Sequence, residues 1–300
     1  MLAVVLGTAA GGGFPQWNSN AEPCRRARAL DPAVRARTQA SLAVSRDGER
    51  WFLLNASPDL RMQIERTPCL HPRDGIRSSP VAGVVLTGGD VDVIAGLLTL
   101  REREPFVLLA TNKILSVLDS NPIFEVLARD IVTRQAIPLD QPVVLDGHLS
   151  VELFAVPGKV PLYLEDGNGP PAIEISETTV AAKVSDGQNT LFFIPGCAAM
   201  TPALADRLRG ADLVFFDGTL WCDDEMVQAG IGTKTGRRMG HMSVSGVDGT
   251  MAAFSDLGVH RKILIHINNS NPILLDDSPE RAEAEALGWE VGYDGMEITV

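Results

Sequence analysis

The chain has 300 residues, of which 45% are hydrophobic and 21% are charged, and this ordinary globular composition excludes a disordered, collagenous or coiled-coil protein. Lysine and arginine number 26 against 38 aspartates and glutamates, so the formal net charge is −12, which argues against nucleic acid or an anionic membrane as the main partner. No apolar run reaches the roughly 18 residues that a membrane helix requires, so we expect no membrane insertion.

Short buried strands and a hairpin dominate the first half of the chain. Residues 2–6 form a predicted strand that leads into a glycine-rich loop over 7–15. The apolar runs SLAVS and WFLLN flank the turn signal Arg46-Asp47-Gly48 and predict a hairpin over 41–55. The other predictions are a helix that begins at 57–59, strands over 81–86 and 106–110, and helices over 94–104, 113–118 and 122–129.

Strands also dominate the second half. They are predicted over 149–156, 178–184, 190–194, 212–216 and 262–267, followed by a helix over 278–287 and two short strands that reach Val300. No repeat or linker divides the chain, so we expect one domain over residues 1–300. Hairpins that alternate with single helices predict an α/β (α+β) protein with two sheets and helices packed outside them.

The glycine run over 7–13 allows two interpretations. It follows a strand, as a phosphate-binding loop would, but it lacks the GxGxxG spacing, and Pro15 prevents an immediate helix. A close backbone approach at the rim of a site is the better interpretation. The apolar start is too short for a signal peptide and lacks a basic region, and the four cysteines are far apart, so we expect a cytoplasmic protein with reduced thiols.

Acids and histidines occur where predicted strands end. Asp90 and Asp92 follow the strand over 81–86, Asp217 ends another strand, His266 lies in a third, and His241 lies in a loop. Aspartate and neutral histidine are the usual protein ligands of zinc and ferrous iron, so these residues are candidates for a metal site. Each of them could instead be a helix cap or a hydrogen-bonded core residue.

An arginine-rich segment over 24–37 interrupts the acidic background with five arginines and one aspartate. It is either a solvated surface segment or a docking site for a substrate with several carboxylates, which guanidinium groups bind in pairs of hydrogen bonds. Arg25, Arg35 and Arg37 are the candidates for such binding.

Nine ordered motifs give the chain a resemblance over nearly its whole length. They are GTAAGGGFPQWN (7–18), RTQAS (37–41), LLNASPDLRMQI (53–64), GLLTLRE (96–102), VPGKVPL (156–162), IPGC (194–197), FFDGTLWCDDEM (215–226), AGIGTKTGRRMGHM (229–242) and KILIHINNSNPI (262–273). The sequence resembles the metallo-β-lactamase superfamily and, more closely, the coenzyme PQQ (pyrroloquinoline quinone) synthesis protein B family. The resemblance implies a four-layer αββα sandwich with the active site at one edge of the sheets.

The chain departs from this family at two motifs. The superfamily metal motif HxHxDH survives in the family as Asp-His, but here Asp92 is followed by Val93, which cannot bind a metal. The family also carries a three-cysteine structural zinc motif, and here Ser19, Ala21 and Cys24 occupy its positions. We therefore expect no structural zinc site.

The resemblance implies a metal site and a substrate. We expect Asp92, Asp217, His241 and His266 to converge on one metal, with Asp90 as a possible extra ligand and Asp217 alternatively orienting a ligand. Two histidines and one or two carboxylates suit Fe(II), and zinc is a second option. The expected ligand is a small anionic precursor or PQQ itself, and other proteins of the pathway are expected partners.

Three functions remain open, of which the resemblance implies the first two. The first is an iron-dependent oxidative hydroxylation of the tyrosine-derived part of a Glu-Tyr precursor of PQQ. The second is a non-catalytic carrier that aids transport of PQQ or its precursor to the periplasm. The third is a metal-dependent hydrolase, which Gly88, Asp90 and Val93 disfavour because they leave too few histidines for a two-metal centre. Dioxygen consumption with a Glu-Tyr peptide separates the first two.

Overall fold

The protein, seen in a computed structural model that describes residues 1–164 and 173–300, contains two mixed sheets. Its strands are β1 (Leu2–Gly7), β2 (Ser41–Ser45), β3 (Trp51–Leu54), β4 (Val81–Val85), β5 (Phe106–Ala110), β6 (Val132–Ala136), β7 (Val143–Asp146), β8 (Leu149–Gly158), β9 (Glu174–Ser185), β10 (Thr190–Ile194), β11 (Leu213–Asp217), β12 (Arg261–Ile265), β13 (Trp289–Val291) and β14 (Glu297–Thr299). The first sheet has the order β14-β1-β2-β3-β4-β5-β6, and the second has the order β13-β12-β11-β10-β9-β8-β7.

The helices are short. They are α1 (Glu22–Arg28), α2 (Leu60–Arg66), α3 (Val91–Ile94), α4 (Asn112–Asp119), α5 (Pro202–Leu208), α6 (Glu225–Gln228), α7 (Gly236–Met239), α8 (Thr250–Ala253) and α9 (Pro279–Ala286). Single 3₁₀ segments cover Pro68–Leu70, Ala95–Leu100, Pro122–Val126, Leu162–Leu164 and Pro272–Leu274. No helix in the described ranges is long and apolar enough to cross a membrane.

The two sheets pack face to face, and strand β11 shows how. Leu213 and Phe215 belong to the core that both sheets share, whereas Val214 and Phe216 belong to the core beneath the outer helices. Successive side chains of a strand point to opposite faces, so a strand with apolar residues at every position is buried on both sides. The Phe254 ring contacts that of Phe216 edge-on at 4.9 Å, an arrangement that contributes about 0.5–1.5 kcal/mol beyond area burial.

Helices complete the outer layers. α2 packs near β1 and α4 near β6 on the first sheet, while α9 packs on β13 of the second. This arrangement confirms the four-layer αββα sandwich predicted from the sequence. Strands β3 to β6 are parallel, and so are β10 to β13, so their carboxyl ends collect at one edge of each sheet.

The structure corrects several predicted elements. The helix predicted over 94–104 is a short α3 followed by the 3₁₀ segment Ala95–Leu100, and Arg103 has a left-handed φ of 65° ahead of Pro105. Strand β12 ends at Ile265, before His266. The edge strands β6 and β7 were not predicted, because only Val132 of β6 is fully buried and the expected alternation of apolar residues is absent.

Candidate metal centre

The parallel strands bring the predicted ligand residues to one edge of the sandwich, where Asp90 lines the same cavity as Asp92, His241 and His266. Asp217 is the last residue of β11, and it pairs in register with Ile265 of the neighbouring β12, directly before His266. Asp92 lies in α3, which follows β4 of the other sheet, and His241 follows α7. Sequence positions that are distant in the chain therefore meet where the carboxyl ends of both sheets come together.

His266 is placed by its backbone conformation. Its φ of +58° is left-handed, which costs an L residue about 1–2 kcal/mol. Strain of this kind is kept where surrounding contacts determine the conformation, and it concentrates at functional sites. Here both backbone groups of the next residue, Ile267, are held by hydrogen bonds. Its N–H donates to Thr8 O and its carbonyl accepts from Ala10 N, both at 2.8 Å. The left-handed residue directs the imidazole toward the ends of the strands.

Asp217, His241 and His266 form the core of the cluster. One ligand atom from each lies within 4.8 Å of the others, a spacing that a single metal ion can bridge. His241 Nδ1 is 2.6 Å from Asp217 Oδ2, and the two imidazole rings stack with centroids 5.2 Å apart. Asp92 joins the cluster through His266, with 3.1 Å between Oδ2 and Nε2.

Thr219 connects the members of this cluster. Its hydroxyl donates to Asp217 Oδ1 at 2.6 Å and lies 2.9 Å from His266 Nδ1 and 3.1 Å from His241 Nδ1. Asp217 also accepts backbone hydrogen bonds from Thr219 N and Cys197 N. Both carboxylate oxygens of Asp217 thus have protein donors, which fits the role of orienting the histidines as well as that of a direct ligand.

Charge pairing dominates the electrostatics of the cluster. Burial favours the neutral form of Asp217, but its interactions with His241, His266 and Thr219 together outweigh burial and lower the pKa of Asp217. Burial likewise opposes the charged forms of Asp92 and His266, but their mutual hydrogen bond lowers the pKa of Asp92 and raises that of His266. Because metal ligands bind in their deprotonated forms, metal binding at this cluster would be favoured as pH rises.

A cavity of about 360 Å³ opens over the cluster. Its wall includes Asp90, Asp92, Val93, Lys159, Lys234 and Met239. Val93 therefore faces the site, at the position where the resemblance implies a histidine. The donor set that remains, two imidazoles with neighbouring carboxylates, is of the kind that binds Fe(II) or Zn²⁺.

The predicted arginines are not part of this cavity. Arg25 is on α1 and donates to Asn20 O at 2.8 Å. Arg35 and Arg37 line a separate cavity of about 440 Å³. At the positions of the family zinc motif, Cys24 is buried, and its Sγ is 3.7 Å from Asn269 Oδ1.

Three residues of the site were missed by the sequence reasoning. Thr219 lies two positions after Asp217 in the motif over 215–226, and Lys234 lies in the motif over 229–242. The resemblance to the family rests partly on these two motifs, but no spacing rule marks a threonine or a lysine within them as part of a metal site. Lys159 lies in a third motif, over 156–162.

Known proteins match the chain over most or all of its length. The model of the Beta-lactamase superfamily domain matches residues 50–267. "Coenzyme PQQ synthesis protein B" of Gluconacetobacter diazotrophicus is 65% identical over 302 residues, which cover 99% of this chain and 98% of that protein. The protein of the same name from Methylorubrum populi is 54% identical over 298 residues, which cover 99% of each.

Solved structures extend the comparison. The crystal structure of Zn²⁺-bound PqqB from Methylobacterium extorquens has a TM-score of 0.98 and 52% sequence identity, with 100% of both chains covered. A diphosphatase of the PhnP family has a TM-score of 0.67 at 18% identity, covering 100% of this chain and 97% of that one, and shares the fold alone. The chain therefore belongs to the coenzyme PQQ synthesis protein B family of the β-lactamase superfamily, and its role is in PQQ biosynthesis.

Proposed function

We propose that the chain catalyses an Fe(II)-dependent oxidative hydroxylation of the tyrosine-derived part of a Glu-Tyr precursor during PQQ biosynthesis. The observation that carries this proposal is the cluster of Asp217, His241 and His266, with ligand atoms within 4.8 Å of one another beneath a cavity of about 360 Å³. When bound, ferrous iron would supply the activation of dioxygen, which suits a site of two histidines and one carboxylate with open positions.

The protein residues would hold the metal and keep the ligands in place. His241 and His266 would bind the metal through imidazole nitrogens, together with a carboxylate of Asp92 or Asp217. Thr219 would fix the orientation of the histidines, because its hydroxyl lies within 3.1 Å of Nδ1 of both. Asp90 lines the same cavity and is a further candidate ligand.

Lys234 and Lys159 would bind the carboxylates of the substrate. Both line the cavity, and Lys234 is half-buried and forms no hydrogen bond or ion pair with residues 1–164 or 173–300. A lysine that faces acids across a cavity without a direct partner is available for a ligand carboxylate. The arginines Arg25, Arg35 and Arg37 lie outside this cavity, so we assign them no part in the hydroxylation.

Dioxygen consumption tests the proposal. Anaerobically purified protein loaded with Fe(II) is mixed with a Glu-Tyr peptide and dioxygen, and ascorbate supplies the two electrons that reduce the second oxygen atom to water. We expect substrate-dependent uptake of one dioxygen per hydroxyl group formed, and a higher KM for Lys234→Ala. Peptide binding without uptake or hydroxylated product would contradict the proposal and favour the carrier function instead.

Metal identity and location complete the proposal. Because a relative of 52% identity is known as a Zn²⁺-bound protein, zinc is the expected competitor for the same donor set, and it should inhibit uptake. We place the reaction in the cytoplasm, since all four cysteines are free thiols.

A further inference from the structure

A second cavity, of about 440 Å³, lies between α9, β13 and the segment that ends at Arg37. Its wall includes Arg35, Arg37, Arg281, Trp289, Tyr293 and Met296. None of its described lining residues also lines the cavity over the metal cluster. A ligand could therefore occupy one cavity without touching the wall of the other.

Arg37 is the unusual residue of this second cavity. Its side chain is only 3% exposed, yet no carboxylate within the described ranges lies within 4.0 Å of its guanidinium group. Nη1 donates to Thr8 Oγ1 at 3.3 Å and to Gly292 O, whereas the buried Nε has no hydrogen-bond partner in the described part of the chain. Burial lowers the pKa of Arg37 to about 10. Buried charges are normally paired directly, so this guanidinium is incompletely compensated.

Asp294 compensates Arg37 only at a distance. Thr8 Oγ1, which accepts from Arg37, itself donates to Asp294 Oδ1 at 3.2 Å, and Thr38 donates to the other carboxylate oxygen from its backbone N–H at 2.6 Å. The carboxylate of Asp294 is thus held by threonine donors. Arg37 also lines the cavity, so the part of its guanidinium group that Thr8 and Gly292 do not engage is the part that a ligand there would contact.

The acidic residues of the cavity wall already form ion pairs with arginines. Asp276 pairs with Arg281 at 3.3 Å, and Glu285 pairs with the same guanidinium at 2.5 Å. Glu290 pairs with Arg261 at 2.6 Å. The wall therefore offers few free negative charges that would repel an anion.

Arg35 supplies a second cation at the mouth. It is 57% exposed, lies 5.1 Å above the centre of the Tyr293 ring, and is 3.9 Å from Asp276, at the limit of an ion pair. Its guanidinium can turn toward a ligand at little cost, because an exposed ion pair of this length contributes less than about 1 kcal/mol. The cavity thus has one buried and one exposed guanidinium group.

We infer that this cavity binds a small organic anion with at least two carboxylate groups, one held by Arg37 and another by Arg35. Guanidinium groups bind carboxylates through two parallel hydrogen bonds, and a charge-assisted bond to Arg37 would offset its burial. The inference is independent of the reaction at the metal cluster.

Calorimetric titration with PQQ, which carries three carboxylates, tests the inference. The variants are Arg35→Glu in the cavity, Arg209→Glu as a control of similar exposure at 55%, and Lys234→Ala in the metal cavity. Because Arg35 is exposed, Arg35→Glu should leave the fold intact. Arg37→Ala is not used, because it would remove the buried donor to Thr8 Oγ1 and Gly292 O. Proton–nitrogen spectra of the Arg37 Nε–H group provide a second readout on the wild-type protein.

We expect one PQQ per chain, a dissociation constant at least 10-fold higher for Arg35→Glu, and little change for Arg209→Glu and Lys234→Ala; 10-fold corresponds to about 1.4 kcal/mol. The Arg37 Nε–H signal should shift on binding. The inference is overturned if binding is not saturable, if Lys234→Ala abolishes it while Arg35→Glu does not, or if sulfate at the same concentration displaces PQQ completely.

Discussion

The hydroxyl group of Thr219 links the three central side chains of the metal cluster. Replacing Thr219 with valine keeps the branched shape and removes the hydroxyl, which leaves Asp217 Oδ1 and the histidine nitrogens with one partner fewer. We expect Thr219→Val to lower the free energy of unfolding by about 1–3 kcal/mol and to weaken metal binding. Urea unfolding and metal titration measure both effects. Thr219→Ser should restore most of both, and equal losses in the two variants would contradict the role assigned to the hydroxyl.

Val93 faces the metal cavity, at the position where the resemblance implies a histidine. A histidine at this position would add an imidazole ligand, so we expect Val93→His to tighten metal binding by about 10-fold or more. Val91→His is the matched control, because Val91 is on the same short helix but is 60% exposed. Metal affinity is measured by competition with a chelator. No gain from Val93→His, or an equal gain from Val91→His, would show that the motif is wrongly placed.

Individual site residues could be predicted from sequence only where position along a strand decides their placement. Asp92, Asp217 and His266 lie at or near strand ends, and the parallel strands bring such ends together. The placement of the arginine-rich segment over 24–37 could not be predicted in this way. Val34 pairs with Leu275 and thereby draws Arg35 and Arg37 toward α9 and away from the metal cluster. That bridge joins residues more than two hundred positions apart, so no local pattern indicates it.

At the scale of elements, Gly96 fixes the segment that carries Asp92. Its N–H donates to Ala56 O at 2.8 Å, and a Cβ at this position would lie 2.0 Å from Ser57 O. The backbone would have to move apart to admit a methyl group, so we expect Gly96→Ala to cost about 1–3 kcal/mol in unfolding free energy. Gly88→Ala is the control, since its Cβ would be 3.8 Å from Thr178 O. Equal stability of the two variants in urea unfolding would contradict this packing.

Most elements could be predicted from apolar periodicity, and the exceptions have physical causes. Strands β1, β4 and β11 are buried runs whose ends agree with the prediction within one or two residues. The helix predicted over 94–104 carries the correct apolar spacing, but the close approach of its backbone at Gly96 and the left-handed Arg103 hold it to a 3₁₀ turn. Tertiary contact here overrides local propensity.

At the scale of the whole molecule, burial divides the four cysteines into two pairs. Cys24 and Cys197 are buried, whereas Cys69 and Cys222 are partly exposed. Burial also raises the pKa of Cys197 to about 12, which keeps it in the thiol form. We expect iodoacetamide to modify Cys69 and Cys222 in the folded protein and all four in urea, as read by mass spectrometry. Fast modification of Cys24 in the folded state would contradict the packing of α1.

The sandwich as a whole follows from the alternation of hairpins and helices, and the resemblance to a known family made the layer order predictable. The separation of the two cavities could not be predicted in this way. The separation depends on the side of the sheets on which each loop lies. Hydrogen bonds from Arg37 to Thr8 and Gly292, residues that are far apart in the sequence, decide this for the arginine segment.

Equilibrium binding of Fe(II) to the anaerobic protein tests the central claim most directly. We expect one Fe(II) per chain in the wild type, loss of stoichiometric binding in His241→Ala and His266→Ala, and full binding in the control His260→Ala, whose side chain is 70% exposed. Iron that does not bind stoichiometrically to the wild-type protein, or that binds equally well to His266→Ala, would contradict the account.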